Sequence, residues 1–235
     1  MVPLLLTIFL AVFTQRLAGF GSALVAMAVL PGLIGIRTAA PLVALMSGTM
    51  ELALLARYRR SLNWSSVWRL ALASVAGIPL GVLALRRADE RIILAALGLV
   101  IAGYALYALL NIRLPELRHP AWAYGFGFLA GMLGGAYNTS GPPAIIYGDG
   151  QRWEPAEFKS NLQGFFFLNN ILVIASHALG GGLTGAVLGD YLWSLPAIAL
   201  GIAAGISLDR FLDPHLFRKV VLCLLLVMGL RLIVQ

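Results

Sequence analysis

The sequence predicts an all-α polytopic membrane protein made of two inverted repeats, each a glycine-interrupted helical hairpin plus three transmembrane helices. Three observations lead there. Apolar residues make up 60% of the 235-residue chain and charged residues only 11%; soluble domains carry roughly 25% charged residues, so this chain cannot cover itself with a water-facing surface. Its apolar runs are continuous and approach the ~20 residues that cross a bilayer as helix, whereas a transmembrane barrel would need alternation. The third observation is an internal duplication.

"LAGFGSALVAMAVLPGLIG" from Leu17 is similar to "LAGMLGGAYNTSGPPAIIYG" from Leu129, with Gly19 and Pro31 aligned to Gly131 and Pro143. Further on, "GIPLGVLALRRAD" from Gly77 matches "GIAAGISLDRFLD" from Gly201, pairing Gly77, Gly81, Arg86 and Asp89 with Gly201, Gly205, Arg210 and Asp213. Biased composition aligns leucines by chance; it rarely aligns two glycines, an arginine and an aspartate in register. The repeats are expected at 1–112 and 113–235, together forming one transmembrane domain.

Each half follows one plan. The first opens with an interrupted segment at about 2–35. Its start, "MVPLLLTIFLAVFTQ", lacks a basic leader and a small-residue cleavage pattern, so it reads as a retained membrane segment. Helices at about 38–57, 64–85 and 90–111 follow. The second half opens at about 121–148, interrupted by "NTSGPP", and continues with helices at about 156–179, 186–208 and 214–234. Trp64, Trp68, Trp122, Trp153 and Trp193 fall at segment ends, as interfacial anchors do. Cys223 stands alone, cannot form an intrachain disulfide, and is expected to be a small packing residue.

Whether the halves are parallel or inverted depends on the interrupted segment. A single crossing gives an even number of spans per half and a parallel duplication; a re-entrant hairpin, or two short crossings, gives an odd number and inversion. The positive-inside rule separates the two. Inversion collects Arg57, Arg59, Arg60, Arg69, Arg113, Arg118, Arg152, Lys159, Arg210, Arg218 and Lys219 on one side, against Arg37, Arg86, Arg87, Arg91 and Arg231 on the other. The parallel arrangement divides the same charges nearly evenly and orients nothing. Inversion is therefore expected, with both termini outside the cytoplasm.

Why does an apolar chain stop for Asn138, Thr139, Ser140, Gly141, Pro142 and Pro143? Each of these breaks a helix or offers its backbone a competing hydrogen bond. Irregular backbone at membrane depth survives only when buried in protein or lining a cavity, and broken helices in inverted repeats are a recurrent solution for a midplane site. Two opposed hairpin tips are expected, with helix N-termini suited to an anion. Asn138, Thr139 and Ser140 add side-chain donors, while Gly134, Gly135 and Gly141 allow close approach. The first half offers Gly19, Gly21 and Ser22, with Arg16 nearby; such donors would hold a tetrahedral oxyanion. Close helix packing is the competing account of the glycines, though it needs none of the polar side chains from 138 to 140.

Glu51 is the only acid in its helix, and an intramembrane carboxylate either relays protons or pairs with a cation such as Arg16. At an offset of 118 it aligns with Asn169, which either lines the same cavity or bridges helices. Asn170 shares the two readings of Asn169, Asn161 and Gln163 are weaker candidates, and His177 is expected at an interface. The dispersed histidines and lone cysteine offer no metal set. Nothing resembles a Walker motif, and a Ser140–His177–Asp190 triad has no support in spacing. No enzyme activity, cofactor or metal is expected. The basic groups lie between apolar runs, so nucleic acid is excluded as a partner. The expected partners are a small anion and the lipid bilayer, with a homodimer compatible with the sequence.

The two glycine-rich segments and the repeated G-x3-G-x4-R-x2-D resemble the TauE/SafE family over nearly the whole chain. The resemblance implies a multi-pass inner-membrane carrier of small sulfur-containing anions such as sulfite, sulfoacetate or related organosulfonates, usually in export. It also implies a glycine-loop role for Gly19, Gly21 and Ser22, and for Gly134, Gly135, Asn138, Ser140, Gly141 and Pro142. A passive anion channel and a non-transporting membrane scaffold are the alternatives.

Overall fold

A computed structural model describes residues 1–18, 21–58, 63–112, 115–208 and 213–234. Those residues form eleven helices and no strand. In chain order they are α1 (Val2–Ala18), α2 (Ser22–Val29), α3 (Pro31–Ile34), α4 (Ile36–Tyr58), α5 (Trp64–Arg87) and α6 (Glu90–Leu109). The second half supplies α7 (Ala121–Tyr137), α8 (Gly141–Gly150), α9 (Pro155–Leu179), α10 (Gly185–Leu208) and α11 (Pro214–Val234). Four helices are long and apolar enough to cross a bilayer (67–87, 90–109, 155–179 and 185–207), and shorter apolar helices cover 2–17 and 22–34. The chain is an all-α, multi-pass membrane protein.

Local chemistry explains where these helices begin. Asn63 Oδ1 accepts from Ser65 N–H at 3.1 Å ahead of α5, and Asp89 Oδ1 accepts from Arg91 N–H at 2.8 Å ahead of α6. Each satisfies one of the donors that a helix start leaves open. Pro155 opens α9 at a position where its missing N–H costs nothing.

The helix bounds revise the register of the duplication. α1 and α7 coincide at an offset of 119, as do the starts of α2 and α8 and of α4 and α9. The glycine match at 112 is therefore not the one the fold uses. It aligned Gly19 with Gly131, a packing residue inside α7. At an offset of 119 the end of α1 at Ala18 corresponds in number to the end of α7 at Tyr137, and Glu51 to Asn170 rather than Asn169.

The helices group into two compact units that do not follow the halves of the sequence. One comprises Met1–Met46, Ala88–Ile112 and Leu183–Gln235; the other comprises Ser47–Arg87 and Arg113–Gly182. Each joins the broken hairpin of one half to a long helix of the other. In the second unit α5 lies along α7, and in the first α10 lies along α1.

Glycines set both contacts, as small residues do between helices in lipid. A Cβ at Gly77 would sit 2.3 Å from the Phe128 carbonyl oxygen, and one at Gly81 would sit 2.1 Å from that of Met132. Their counterparts Gly201 and Gly205 meet Phe9 and Arg16 on α1, where a Cβ would lie 3.0 Å from the Phe9 carbonyl oxygen and 2.5 Å from Arg16 Cγ. Gly127, Gly131 and Gly135 on α7 face α5 in the same way, 2.2–2.4 Å from the carbonyl oxygens of Leu70, Ser74 and Ile78. In the first unit α6 also packs on α11 through Gly98 and Gly229.

Two sequence expectations change here. Cys223 is exposed on α11, because the helix turns its neighbours Leu222 and Leu225 inward instead. Trp64, Trp68, Trp122 and Trp193 are exposed as anchors should be, but Trp153 is half-buried. It is wedged against Gly148 between the rings of Tyr147 and Phe158.

Candidate functional site: the α7–α8 elbow

α7 and α8 form a hairpin that returns to the end where it started. Leu117, just ahead of α7, donates its N–H to the carbonyl oxygen of Gly150 at the end of α8, at 2.9 Å, and its own carbonyl oxygen accepts from the Gln151 side chain. Partway along, the Phe126 and Tyr147 rings meet at 6.0 Å. The 17 residues of α7 carry the chain about 25 Å before it turns, short of a ~30 Å hydrocarbon core.

The turn is built by Asn138, whose backbone sits in the left-handed region at φ 53°. Asparagine is among the few side chains that tolerate this conformation. Its N–H caps α7 on the Gly134 carbonyl at 2.7 Å, and Thr139 N–H bonds the Leu133 carbonyl at 3.2 Å. α8 then begins with Gly141, Pro142 and Pro143. Both prolines lack an N–H, so this helix start offers an anion fewer backbone donors than the sequence expectation assumed. The polar work falls to side chains.

Those side chains are buried. Asn138, Thr139 and Ser140 are 9%, 1% and 7% exposed. Asn138 Nδ2 donates to Ser47 Oγ on α4 at 2.9 Å. Gly134 faces α9: a Cβ there would be 2.7 Å from Asn169 Nδ2 and 3.5 Å from Ser140 Cβ. Next to Ser47 on α4, a Cβ at Gly48 would be 2.9 Å from Asn170 Nδ2. Three elements thus converge, the second half of α4, the elbow and the middle of α9. Glu51 lies one turn beyond Ser47 on the same face of α4, and is buried. Glu51 Oε2, Thr139 Oγ1 and Asn169 Oδ1 have no hydrogen-bond partner. Buried polar atoms are rarely left so, and such atoms mark a place where a ligand could be met.

The expected residues sort as follows. Gly134, Asn138, Thr139, Ser140, Asn169 and Glu51 belong to this second-unit cluster. Gly141 and Pro142 form the start of α8 beside it. Gly135 points the other way and is taken up by the contact with Ile78, so for this glycine helix packing is the role. Asn161 accepts the Asn63 N–H at 2.9 Å and so ties down the entry to α5. His177 is buried in the last turn of α9, where the Gly182 N–H folds back to its carbonyl at 2.7 Å.

In the first unit Gly21 stands at φ 102° and Ser22 starts α2. The Gln15 side-chain oxygen accepts from Ser22 N–H at 3.2 Å and from the Ser22 hydroxyl. Arg16 is half-buried, its stem laid against Gly205. Gly19 lies outside the described residues. Arg118 and Glu116 form an ion pair at 2.7 Å on the surface, whereas Glu51 Oε2 has no hydrogen-bond partner among the described residues. Sequence reasoning missed Ser47, Gly48 and Gln15. Ser47 was findable, four residues before Glu51 on the same helix face; a lone glutamine such as Gln15 carried no such signal.

Comparison with known proteins agrees with this architecture. No solved structure matches the chain. A curated relative, named "Probable sulfite/organosulfonate exporter TauE", from Cupriavidus necator, is 25% identical over 223 residues, covering 92% of this chain and 87% of the relative. The family model described as "Sulfite exporter TauE/SafE" matches residues 4–232. The chain therefore belongs to the TauE/SafE family of membrane exporters.

Proposed function

We propose that the protein is a secondary transporter that exports a small sulfur-containing anion, such as sulfite or a sulfoacetate-like organosulfonate, across a bacterial inner membrane. Family membership and the relative's name support the substrate class. The observation that carries the reading is the α7–α8 elbow, three consecutive buried polar residues at a helix break, with Thr139 Oγ1 lacking a partner. Packing alone gives no reason to bury them, because an apolar turn would avoid the desolvation they incur.

In this reading each elbow offers an anion its own set of donors. The second has Asn138, Thr139, Ser140 and the Gly141 N–H, and the first has Arg16, Gly21 and Ser22. Inverted repeats would expose such sites alternately, and the return of the α7–α8 hairpin to its side of entry supports that arrangement. Outward movement of an anion is favoured by an inside-negative potential, at ~2.3 kcal/mol per charge per 100 mV. Export therefore needs no driving co-ion. Where a co-ion takes part, Glu51 is the residue through which it acts.

The test is counterflow of labelled sulfite in proteoliposomes. Saturable exchange that falls at least about tenfold in Ser140→Ala, with the protein still folded, supports the reading. Equal exchange in both would refute the elbow as the site, and ion conductance without saturable exchange would assign a channel.

A further inference from the structure

Resting on the elbow as an anion site, we propose that the same cluster also binds a sodium-sized monovalent cation. Its ligands are the Glu51 carboxylate, Thr139 Oγ1 and Asn169 Oδ1, and it neutralises Glu51 so that an anion can enter.

Charge is the first argument. Among the described residues no lysine or arginine is buried, and Glu51 is the one buried carboxylate. An anion brought to Ser140 would therefore meet an ionised Glu51 on the same cluster and, among the described residues of that unit, no buried positive side chain. Like charges in a poorly solvated interior repel strongly, and a buried carboxylate without a partner is itself costly. One bound cation removes both problems.

The second argument is the kind of atom left open. Glu51 Oε2, Thr139 Oγ1 and Asn169 Oδ1 are all oxygens, on residues at least nine-tenths buried, and none has a hydrogen-bond partner. Carboxylate, hydroxyl and amide oxygens are the donor set of hard cations. A proton on Glu51 would create one donor and satisfy one acceptor, leaving the others as they are. A cation takes several oxygens at once.

Third, the oxygens come from three elements that converge. Ser47 and Glu51 share a face of α4, Ser47 Oγ is 2.9 Å from Asn138 Nδ2, Thr139 follows in sequence, and Gly134 admits the Asn169 amide beside Ser140. Pro142 and Pro143 meanwhile withdraw two N–H groups from the start of α8, which weakens that helix end as the sole holder of an anion.

The experiment uses the full chain purified in detergent, without any sulfur anion. Melting temperature is followed in sodium chloride and in choline chloride at equal ionic strength. A saturable rise of several degrees in sodium, absent in Glu51→Gln and reduced in Thr139→Val, is the expected result; should Glu51→Gln fail to fold, Thr139→Val and Asn169→Leu carry the comparison. Sulfite should then bind about tenfold more tightly in sodium, and sodium more tightly in sulfite by the same factor, because linkage is reciprocal. Identical melting in the two salts overturns the proposal, as does a stabilisation that follows pH alone or survives in both Glu51→Gln and Thr139→Val. The two readings fail separately. Sulfite transport indifferent to sodium removes the cation site and leaves the anion site, whereas sodium stabilisation without sulfite binding upholds the cation site and removes the anion reading.

Discussion

The α1–α2 and α7–α8 breaks occupy the same place in their halves, yet they are finished differently. After α1, Gly21 takes a positive φ, and Gln15 reaches back to satisfy Ser22, closing the start of α2 from within. After α7 the positive φ falls on Asn138, prolines replace the N–H groups at the start of α8, and the elbow displays side chains instead. The supporting contacts differ as well. α7 brings three glycines to α5, whereas α1 offers Val12, Phe13 and Arg16 to the glycines of α10. One fold motif has thus been specialised twice. The first copy satisfies its own helix start, and the second leaves buried polar atoms open.

Substitution should expose that asymmetry. The largest effect is expected at Gly135→Ala, where the added methyl meets the Ile78 carbonyl oxygen at 2.2 Å and neither backbone can yield locally. Overpacking of this kind costs about 3 kcal/mol, read as a fall in melting temperature of about 6–10 °C. Gly205→Ala meets the Arg16 side chain rather than backbone and should lose about half as much. Gly125→Ala, with nothing within 4 Å, should melt as the wild type does. Equal losses at Gly135 and Gly205 would show that the two helix contacts are equivalent after all.

At the turn itself, Asn138→Ala loses the bond to Ser47 and forces alanine into the left-handed region, for about 2 kcal/mol in all. Asn138→Gly removes only the bond, for about 1 kcal/mol. The difference between the two, measured by thermal melting, isolates the backbone term. Both should transport poorly if Asn138 meets the anion; a fully active Asn138→Gly would reduce it to a turn residue. The smallest effect is expected from Gln15→Leu, which opens the Ser22 N–H and costs about 1 kcal/mol. It should weaken transport less than any change at 138–140, and an equal or larger loss would place more of the binding on the first elbow.

Much of the fold was legible because membrane helices announce themselves by length and apolarity. The segments read at 64–85, 156–179 and 186–208 lie within about two residues of α5, α9 and α10. Both breaks were found, since glycine, proline and asparagine disrupt a helix wherever they stand. Register was not legible. Gly131 looks like any other glycine as a letter, but it fills a helix contact against Ser74. The split between Gly134 and Gly135 was hidden for the same reason, because adjacent residues on a helix point about 100° apart and only the neighbouring helices decide which faces what. Ser47 and Gln15 act through partners across space, and a single polar letter in an apolar run does not name its partner.

Thr139 tests the central claim most directly. It is 1% exposed, its hydroxyl has no partner, and valine matches its shape. Counterflow of labelled sulfite by Thr139→Val in proteoliposomes should fall at least about tenfold while the protein, melted in choline chloride, keeps or gains melting temperature, since no hydrogen bond is lost from the fold. Wild-type exchange by that variant would contradict the account.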